Sequence, residues 1–191
     1  MSKEMFIEAI RFATDRHQDQ KRKMDVLPYI LHPMEVASIA GSMNPDDELM
    51  ISGILHDVVE DAGVELETIR EKFGERVYML VESETENKRE DQAAELTWKV
   101  RKQESLDELR SATDIDIKRL WLADKLSNIR SLWRAYLKEG DAAFEKFHQK
   151  DKKEQEWYYR SVLDAVSGLK DTAAYLEFSA LVNYIFKPSE N

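Results

Sequence analysis

The sequence of 191 residues contains no cysteine, four prolines and six glycines. Without cysteine the chain cannot form disulfides or use a thiol nucleophile, and any metal must be held by nitrogen and oxygen atoms. The low glycine and proline content excludes collagen-like, linker and low-complexity chains. The composition therefore predicts a globular protein, whose 42% of hydrophobic residues can form the core of one domain.

The sequence also has no long apolar run and no excess of basic residues. No stretch approaches the ~18 consecutive apolar residues of a membrane span, and the acidic, amphipathic beginning is unlike a signal peptide. We therefore expect a cytoplasmic protein without membrane contact. Because 28 Lys and Arg stand against 38 Asp and Glu, the net charge is −10 at pH 7. That charge argues against binding of extended nucleic acid, although a small phosphorylated ligand can still meet a local basic cluster.

Proline is absent between residues 46 and 187, which favours helices because proline breaks helix interiors. Apolar residues recur with helical spacing, and we find neither an alternating strand pattern nor an internal repeat. The pattern predicts an all-α protein in which the helix ending at Gly140 is central and residues 83–94 form a loop. The predicted helices cover about 3–18, 33 onwards, 45–61, 66–73, 75–82, 95–112, 115–139, 157–169 and 172–186.

The sharpest local feature is a group of four ionisable residues in the segment ILHDVVED. His56 and Glu60 are four residues apart, as are Asp57 and Asp61, so all four lie near one end of an otherwise apolar helix. Clustered carboxylates in apolar surroundings are costly unless a cation accompanies them. The segment thus favours a metal site over the alternative, an acidic cluster on the surface.

Two further positions could contribute to such a site. Asp124 interrupts the most hydrophobic helix, with Asn128 and Ser131 one and two turns later on the same face. A lone acid on a core helix needs a partner, although a solvated face is the alternative. His32 directly precedes Pro33 in the segment PYILHP, and on its own it is interpreted as a capping or core histidine.

Taken together, these motifs resemble the hydrolase domain of the RelA/SpoT homologues, the alarmone enzymes of the HD phosphohydrolase superfamily. The resemblance is carried by the segments HQDQKRK at 17–23, PYILHPMEVA at 28–37, LHDVVED at 55–61, FGERVYMLV at 73–81 and LADKLSNIR at 122–130. The later segments TWKVRK at 97–102 and WYYR at 157–160 are similar to the stand-alone small alarmone hydrolases.

This resemblance implies a particular architecture, an HD-type helical bundle of about 8–10 helices. Residues 1–191 would form a single hydrolase domain. The metal core would lie within about residues 5–135, and C-terminal helices over 141–187 would pack on it.

The resemblance also implies one Mn²⁺ ion per chain, held by His32, His56, Asp57 and Asp124. Two imidazoles and two carboxylates suit Fe²⁺ or Zn²⁺ as well, so the choice of Mn²⁺ rests on the resemblance alone. The acids matching Glu60 and Asp61 would act on water. The implied reaction removes the 3′-pyrophosphate from guanosine tetra- or pentaphosphate, a small phosphorylated guanine nucleotide.

Basic and polar residues supply the candidates for nucleotide binding. Lys21, Arg22 and Lys23 form a basic run, for which an ordinary solvated loop is the alternative. The resemblance places the residue matching Arg22 against the guanine base. The other candidates implied by it are Asn128 and Ser131 as nucleoside contacts and, on a looser match, Tyr158, Arg101 and Lys102.

Three residues depart from the family pattern, namely Asp19 in place of glycine, Ser127 in place of histidine and Glu65 in place of threonine. None of them replaces an implied ligand, but they leave the substrate open. One alternative is an HD phosphohydrolase acting on another nucleotide, such as the 2′-phosphate of NADPH. Another is a nucleotide-binding regulator without turnover, and either a monomer or a homodimer is compatible with the sequence.

Overall fold

The computed structural model describes residues 3–24, 26–86, 89 and 93–187. Within these ranges helices are joined by turns and loops, and the only β-structure is an isolated bridge between Lys21 and Pro28. The α-helices are α1 (Lys3–Arg16), α2 (Leu31–Met43), α3 (Asp47–Leu55), α4 (Val58–Ala62), α5 (Leu66–Phe73), α6 (Glu75–Glu82), α7 (Ala94–Ser111), α8 (Ile115–Glu139), α9 (Lys152–Ala165) and α10 (Ala173–Ile185). Short 3-10 helices follow α8 at Gly140–Lys146 and α9 at Ser167–Leu169. The all-α prediction is confirmed, and no described helix is long and apolar enough to cross a membrane.

The predicted helix over 45–61 is divided in two, so the prediction of one continuous helix is wrong. Its start is as expected, because the Asp46 side chain accepts the Leu49 N–H at 2.9 Å. However, α3 ends at Leu55, and His56 and Asp57 form a turn before α4. Both residues keep right-handed helical backbone angles in this turn, and His56 Nε2 lies 3.2 Å from Asp57 Oδ2.

Both ends of one other helix differ from the prediction over 157–169, since α9 covers Lys152–Ala165 and a separate 3-10 helix follows it. Helix α9 begins five residues before the predicted start, because Asp151 caps it by accepting the Lys153 N–H at 2.8 Å. Its charged first turn has no apolar periodicity from which the start could be found. Part of the loop predicted over 83–94, residues 87, 88 and 90–92, lies outside the described residues.

Helix α8 is the central helix, as predicted, with buried residues along most of its length. It packs against α2, α3 and α10, while α2 and α3 also pack closely on each other. A Cβ atom on Gly53 would lie only 2.8 Å from Cα of Ala37, so this close approach of α2 and α3 depends on glycine. The packing brings the beginning of α2, the α3–α4 turn and the middle of α8 together. The single-domain organisation of residues 1–191 stays a prediction.

Candidate metal centre and adjoining cleft

The four predicted metal ligands meet where α2, the α3–α4 turn and α8 pack together. His32 Nε2 lies 3.1 Å from Asp124 Oδ1 and 3.3 Å from Asp57 Oδ2. His56 Nε2 lies 3.2 Å from Asp57 Oδ2 and 3.6 Å from Asp124 Oδ1. One ligand atom each from His32, His56 and Asp124 falls within 4.8 Å of the others, and all three residues are buried. The structure therefore brings together residues that span 32 to 124 in the sequence.

The electrostatics of this group follow from opposite charges held close together. Burial alone would lower the pKa of His56, but the carboxylates of Asp57 and Asp124 outweigh it and raise that pKa well above its usual range. Burial would raise the pKa of Asp57, yet His56 and His32 hold it well below the usual range. Lys125 and the same imidazoles also hold the pKa of the buried Asp124 well below its usual range. Both carboxylates are therefore ionised and require positive charge beside them.

The donor atoms fit a divalent ion. His56 Nδ1 lies 2.9 Å from the Gly53 carbonyl oxygen and donates to it, which leaves Nε2 as the ligand atom. This Nε2 is buried and makes no well-aligned hydrogen bond within the described part of the chain, although Asp57 Oδ2 lies 3.2 Å away. Two imidazole nitrogens facing two carboxylates are a donor set suited to Mn²⁺, Fe²⁺ or Zn²⁺. The group can thus hold a divalent metal.

Tyr29, which the sequence analysis missed, connects this group to a predicted catalytic acid. Its hydroxyl lies 2.7 Å from Asp57 Oδ2 and 2.9 Å from Asp61 Oδ2. Burial, followed by the charges of Asp57 and Asp61, raises the pKa of Tyr29, so the phenol keeps its proton and donates it. Its ring packs on the buried His17, with the ring centres 4.8 Å apart. The sequence feature that could have indicated a role for Tyr29 at the site is its position three residues before His32.

Glu60 precedes Asp61 on α4. Its Oε1 accepts the backbone N–H of Glu86. The carboxylate of Glu86 in turn forms ion pairs with Arg101 and Lys102, two of the predicted nucleotide-binding residues. Burial would raise the pKa of Glu86, but Lys102 and Arg101 lower it, so its charge offsets theirs.

A cleft of two adjoining cavities, each of about 320 Å³, lies next to these acids. The two cavities share six lining residues, among them Lys23, Asp61 and Lys102. Five basic side chains and one acidic side chain line the first cavity, so the cleft is basic although the whole chain is acidic. The predicted binding residues that line one cavity or both are Lys21, Arg22, Lys23, Arg101, Lys102, Asn128 and Tyr158.

Ser131, the remaining predicted binding residue, contacts Arg22. Arg22 Nη2 donates to Asn128 Oδ1 at 3.0 Å and to Ser131 Oγ at 3.2 Å. Asn128 Nδ2 also donates to Asp124 Oδ1 at 2.6 Å. Asn128 therefore links the metal group to the guanidinium of Arg22.

Two largely buried ionisable residues beside Asp124, Lys125 and Glu84, also escaped the sequence analysis. Lys125 Nζ pairs with Asp124 and lies 3.7 Å from Glu84 Oε2. The Glu84 side chain is only 3% exposed, and burial raises its pKa to about 8 despite the charge of Lys125. A glutamate in a polar stretch gave no signal of burial, so sequence patterns alone could not have identified it.

Comparison with known proteins agrees with this geometry. The family model for the HD domain matches residues 9–150. The chain therefore belongs to the HD domain family, and the HD-type helical bundle is confirmed.

Its relatives include one of nearly the same length. The chain is 32% identical over 176 residues to the guanosine-3′,5′-bis(diphosphate) 3′-pyrophosphohydrolase MESH1 of Xenopus tropicalis, covering 91% of this chain and 89% of that protein. This match confirms the resemblance to small alarmone hydrolases. The chain is also 38% identical over 127 residues to a protein of Aquifex aeolicus (strain VF5) named guanosine-3′,5′-bis(diphosphate) 3′-pyrophosphohydrolase. That match covers 65% of this chain but 17% of the relative, and the chain spans about a sixth of several such longer proteins.

Two solved structures share the fold. One belongs to a metazoan orthologue of SpoT that hydrolyses ppGpp, with a TM-score of 0.73, 22% identity and coverage of 96% of this chain and 97% of that one. The other is a protein of Listeria monocytogenes EGD-e, with a TM-score of 0.72, 32% identity and coverage of 82% and 99%.

Proposed function

We propose that the protein is a metal-dependent hydrolase that removes the 3′-pyrophosphate from guanosine tetra- and pentaphosphate. The observation that carries this proposal is the buried group of His32, His56 and Asp124 beside a basic cleft. Asp61 lines the cleft, and the Tyr29 hydroxyl links it to Asp57 of the metal group. The near full-length similarity to a protein named for this activity supports it.

His32, His56, Asp57 and Asp124 would hold one divalent ion, which we propose is Mn²⁺, with Fe²⁺ and Zn²⁺ as alternatives. When bound, the ion supplies a Lewis acid that makes water more acidic and offsets charge on phosphoryl oxygens. The imidazoles hold the pKa values of Asp57 and Asp124 low, so a metal ion that displaces an imidazole proton would meet carboxylates that are already ionised.

Glu60 and Asp61 would perform the proton transfers. Water attacks the phosphorus next to the ribose 3′-oxygen, and the bond from that phosphorus to the 3′-oxygen breaks. The 3′-oxygen leaves with GDP or GTP, and the water oxygen becomes part of the released pyrophosphate. One of the two acids would orient or deprotonate the water, and the other would protonate or help stabilise the leaving oxygen. Both line the cleft, which supports a role in contact with substrate.

The basic residues of the cleft would bind the nucleotide. Arg22 is proposed to lie against the base, since guanidinium groups stack well on aromatic rings. Lys21, Lys23, Arg101 and Lys102 would attract the phosphates, with Tyr158, Asn128 and Ser131 forming the remaining contacts. The cytoplasmic location and the choice between monomer and homodimer stay predictions.

Product identification tests the proposal directly. The Mn²⁺-loaded protein is incubated separately with guanosine tetraphosphate and NADPH, and the products are separated by ion-exchange chromatography. We expect GDP and pyrophosphate from the first nucleotide and no more than slow turnover of the second. Release of orthophosphate or a preference for NADPH would contradict the proposed reaction and support the alternative, an HD phosphohydrolase that acts on another nucleotide. Tight nucleotide binding without any product would instead identify a regulator.

A further inference from the structure

Ser127 is a fully buried serine in the middle of α8, and its hydroxyl contacts two side chains of α2. Ser127 Oγ lies 2.8 Å from His32 Nδ1 and 2.7 Å from Glu35 Oε2. His32 is one of the proposed metal ligands, and Ser127 contacts the nitrogen that faces away from the other ligands. In a neutral imidazole, a proton held on Nδ1 leaves a lone pair on Nε2, so the contact with Ser127 decides whether Nε2 can bind a metal.

The direction of these hydrogen bonds follows from counting protons. Glu35 Oε1 accepts from Arg130 Nη1 at 2.7 Å, so the carboxylate is paired with a permanent cation and can only accept. Ser127 has a single hydroxyl proton, which it must donate to Glu35. Its oxygen is then an acceptor toward His32, and Nδ1 of His32 must carry a proton. In a neutral imidazole this leaves the lone pair on Nε2, which faces Asp57 and Asp124.

The outer end of this chain of contacts is anchored on another helix. Arg130 donates from Nε and Nη2 to the two carboxylate oxygens of Glu177 on α10, at 2.7 and 2.6 Å. Such two-point pairing fixes the plane of the guanidinium. The orientation of Glu35, and through it of Ser127, is therefore set by α10 as well as by α8.

We infer that Ser127 and Glu35 are positioning residues that hold His32 with its proton on Nδ1 and its Nε2 lone pair directed at the metal. The inference rests on the proposed function in one respect, that His32 is a metal ligand. Partners of metal-binding histidines commonly change metal affinity by about 10- to 100-fold when they are removed.

The test measures Zn²⁺ binding by competition with a chromophoric chelator and follows the imidazole N–H protons by NMR in the Zn²⁺-loaded protein. We expect Ser127→Ala to weaken Zn²⁺ binding by about 10- to 100-fold and to lose the slowly exchanging, downfield Nδ1–H resonance of His32. Ser127→Thr keeps the hydroxyl and should restore both. Ser105→Ala removes another buried hydroxyl, one that donates to the Arg101 carbonyl oxygen of its own helix, and should bind Zn²⁺ like the wild type.

Glu35→Gln provides a second variant in case Ser127→Ala does not fold. Its amide can donate to Ser127, which would turn the serine proton toward His32 and favour the tautomer with the proton on Nε2. We therefore expect weaker Zn²⁺ binding here too. Unchanged affinity and an unchanged Nδ1–H resonance in Ser127→Ala and Glu35→Gln would overturn the inference. If the variants bind Zn²⁺ more weakly but the wild type hydrolyses no guanosine tetraphosphate, the inference is supported and only the proposed reaction is contradicted.

Discussion

The carboxylates near the metal centre differ in charge because their neighbours differ. Asp57 and Asp124 face imidazoles and are ionised, whereas Glu84 is buried with a more distant lysine and keeps its proton near neutral pH. Glu60 and Asp61 lie at the cleft instead. Residues of one chemical type thus serve as proposed ligands, proposed proton carriers and a neutral buried group.

The division between ligands and proton carriers can be tested at Glu60. Glu60→Gln should retain the metal, because the Glu60 carboxylate accepts the Glu86 backbone N–H on the cleft side of α4. Turnover should fall by about 10² or more, the usual effect of losing a general acid or base. Metal content and steady-state turnover are measured on the same preparation, with Glu71→Gln on the exposed surface of α5 as the control. Near-normal turnover in both Glu60→Gln and Asp61→Asn would remove these acids from the mechanism.

Glu84 predicts a dependence of stability on pH. Its pKa rises from 4.5 to about 8 in the folded protein, mainly through burial. As the pH increases from about 5 to 8, the unfolded chain loses this proton and the folded chain retains it, so the free energy of unfolding falls. The free energy of unfolding falls by at most about 1.4 kcal/mol for each pH unit in this range. Glu84→Gln has no proton to lose and should show a smaller decline.

Urea denaturation at pH 5 and pH 8 in the presence of a chelator measures this effect, since the chelator removes the pH dependence of metal binding. The control is Glu82→Gln, an exposed neighbour that should lose stability with pH as the wild type does. An equal decline in Glu84→Gln and the wild type would contradict the prediction.

At the scale of helices, the close packing of α2 and α3 positions His32 opposite His56. Gly53 permits this approach, because a Cβ there would meet backbone atoms of Ala37 at 2.8 and 2.9 Å. Gly41, on α2, is different: a Cβ there would meet Sδ of Met50 at 2.7 Å, the far part of a flexible side chain.

These two glycines form a matched pair of tests. Gly53→Ala should destabilise the protein by about 1 to 3 kcal/mol through overpacking against a helix backbone. Gly41→Ala should be no less stable than the wild type, because Met50 can move and alanine favours helix by up to about 1 kcal/mol. Urea denaturation compares the two variants. Equal losses of stability would show that the α2–α3 distance does not depend on Gly53.

At the scale of the whole molecule, metal binding connects three parts of the chain. The proposed ligands come from α2, the α3–α4 turn and α8, so the ion would bind the folded chain far better than the unfolded one. An ion present at about 100 times its dissociation constant adds about 2.7 kcal/mol to the free energy of unfolding.

Removing the metal should therefore lower the melting temperature. For a chain of this size we expect a decrease of about 5 to 10 °C when a chelator is added to the Mn²⁺-loaded protein. Asp57→Ala should melt at the same temperature with and without chelator, while Asp107→Ala, on the exposed surface of α7, should respond like the wild type. A wild-type melting temperature that does not respond to the chelator would contradict a metal centre that spans these helices.

The sequence by itself determined the helical class, most helix positions and the identity of the ligand candidates. Helix periodicity and the absence of proline over 46–187 are local signals, and local signals can be read along the chain. The motif around His56 indicated a metal site for a similar reason, since costly carboxylates stood together in an apolar segment.

Only the tertiary structure decided how the site is assembled. The bridging position of the Tyr29 hydroxyl and the burial of Glu84 depend on contacts between residues far apart in sequence. The same holds for Ser127, whose contact with His32 joins positions 95 residues apart. Such contacts form only when helices pack, and the charge, tautomer and burial of a side chain follow from its packed neighbours.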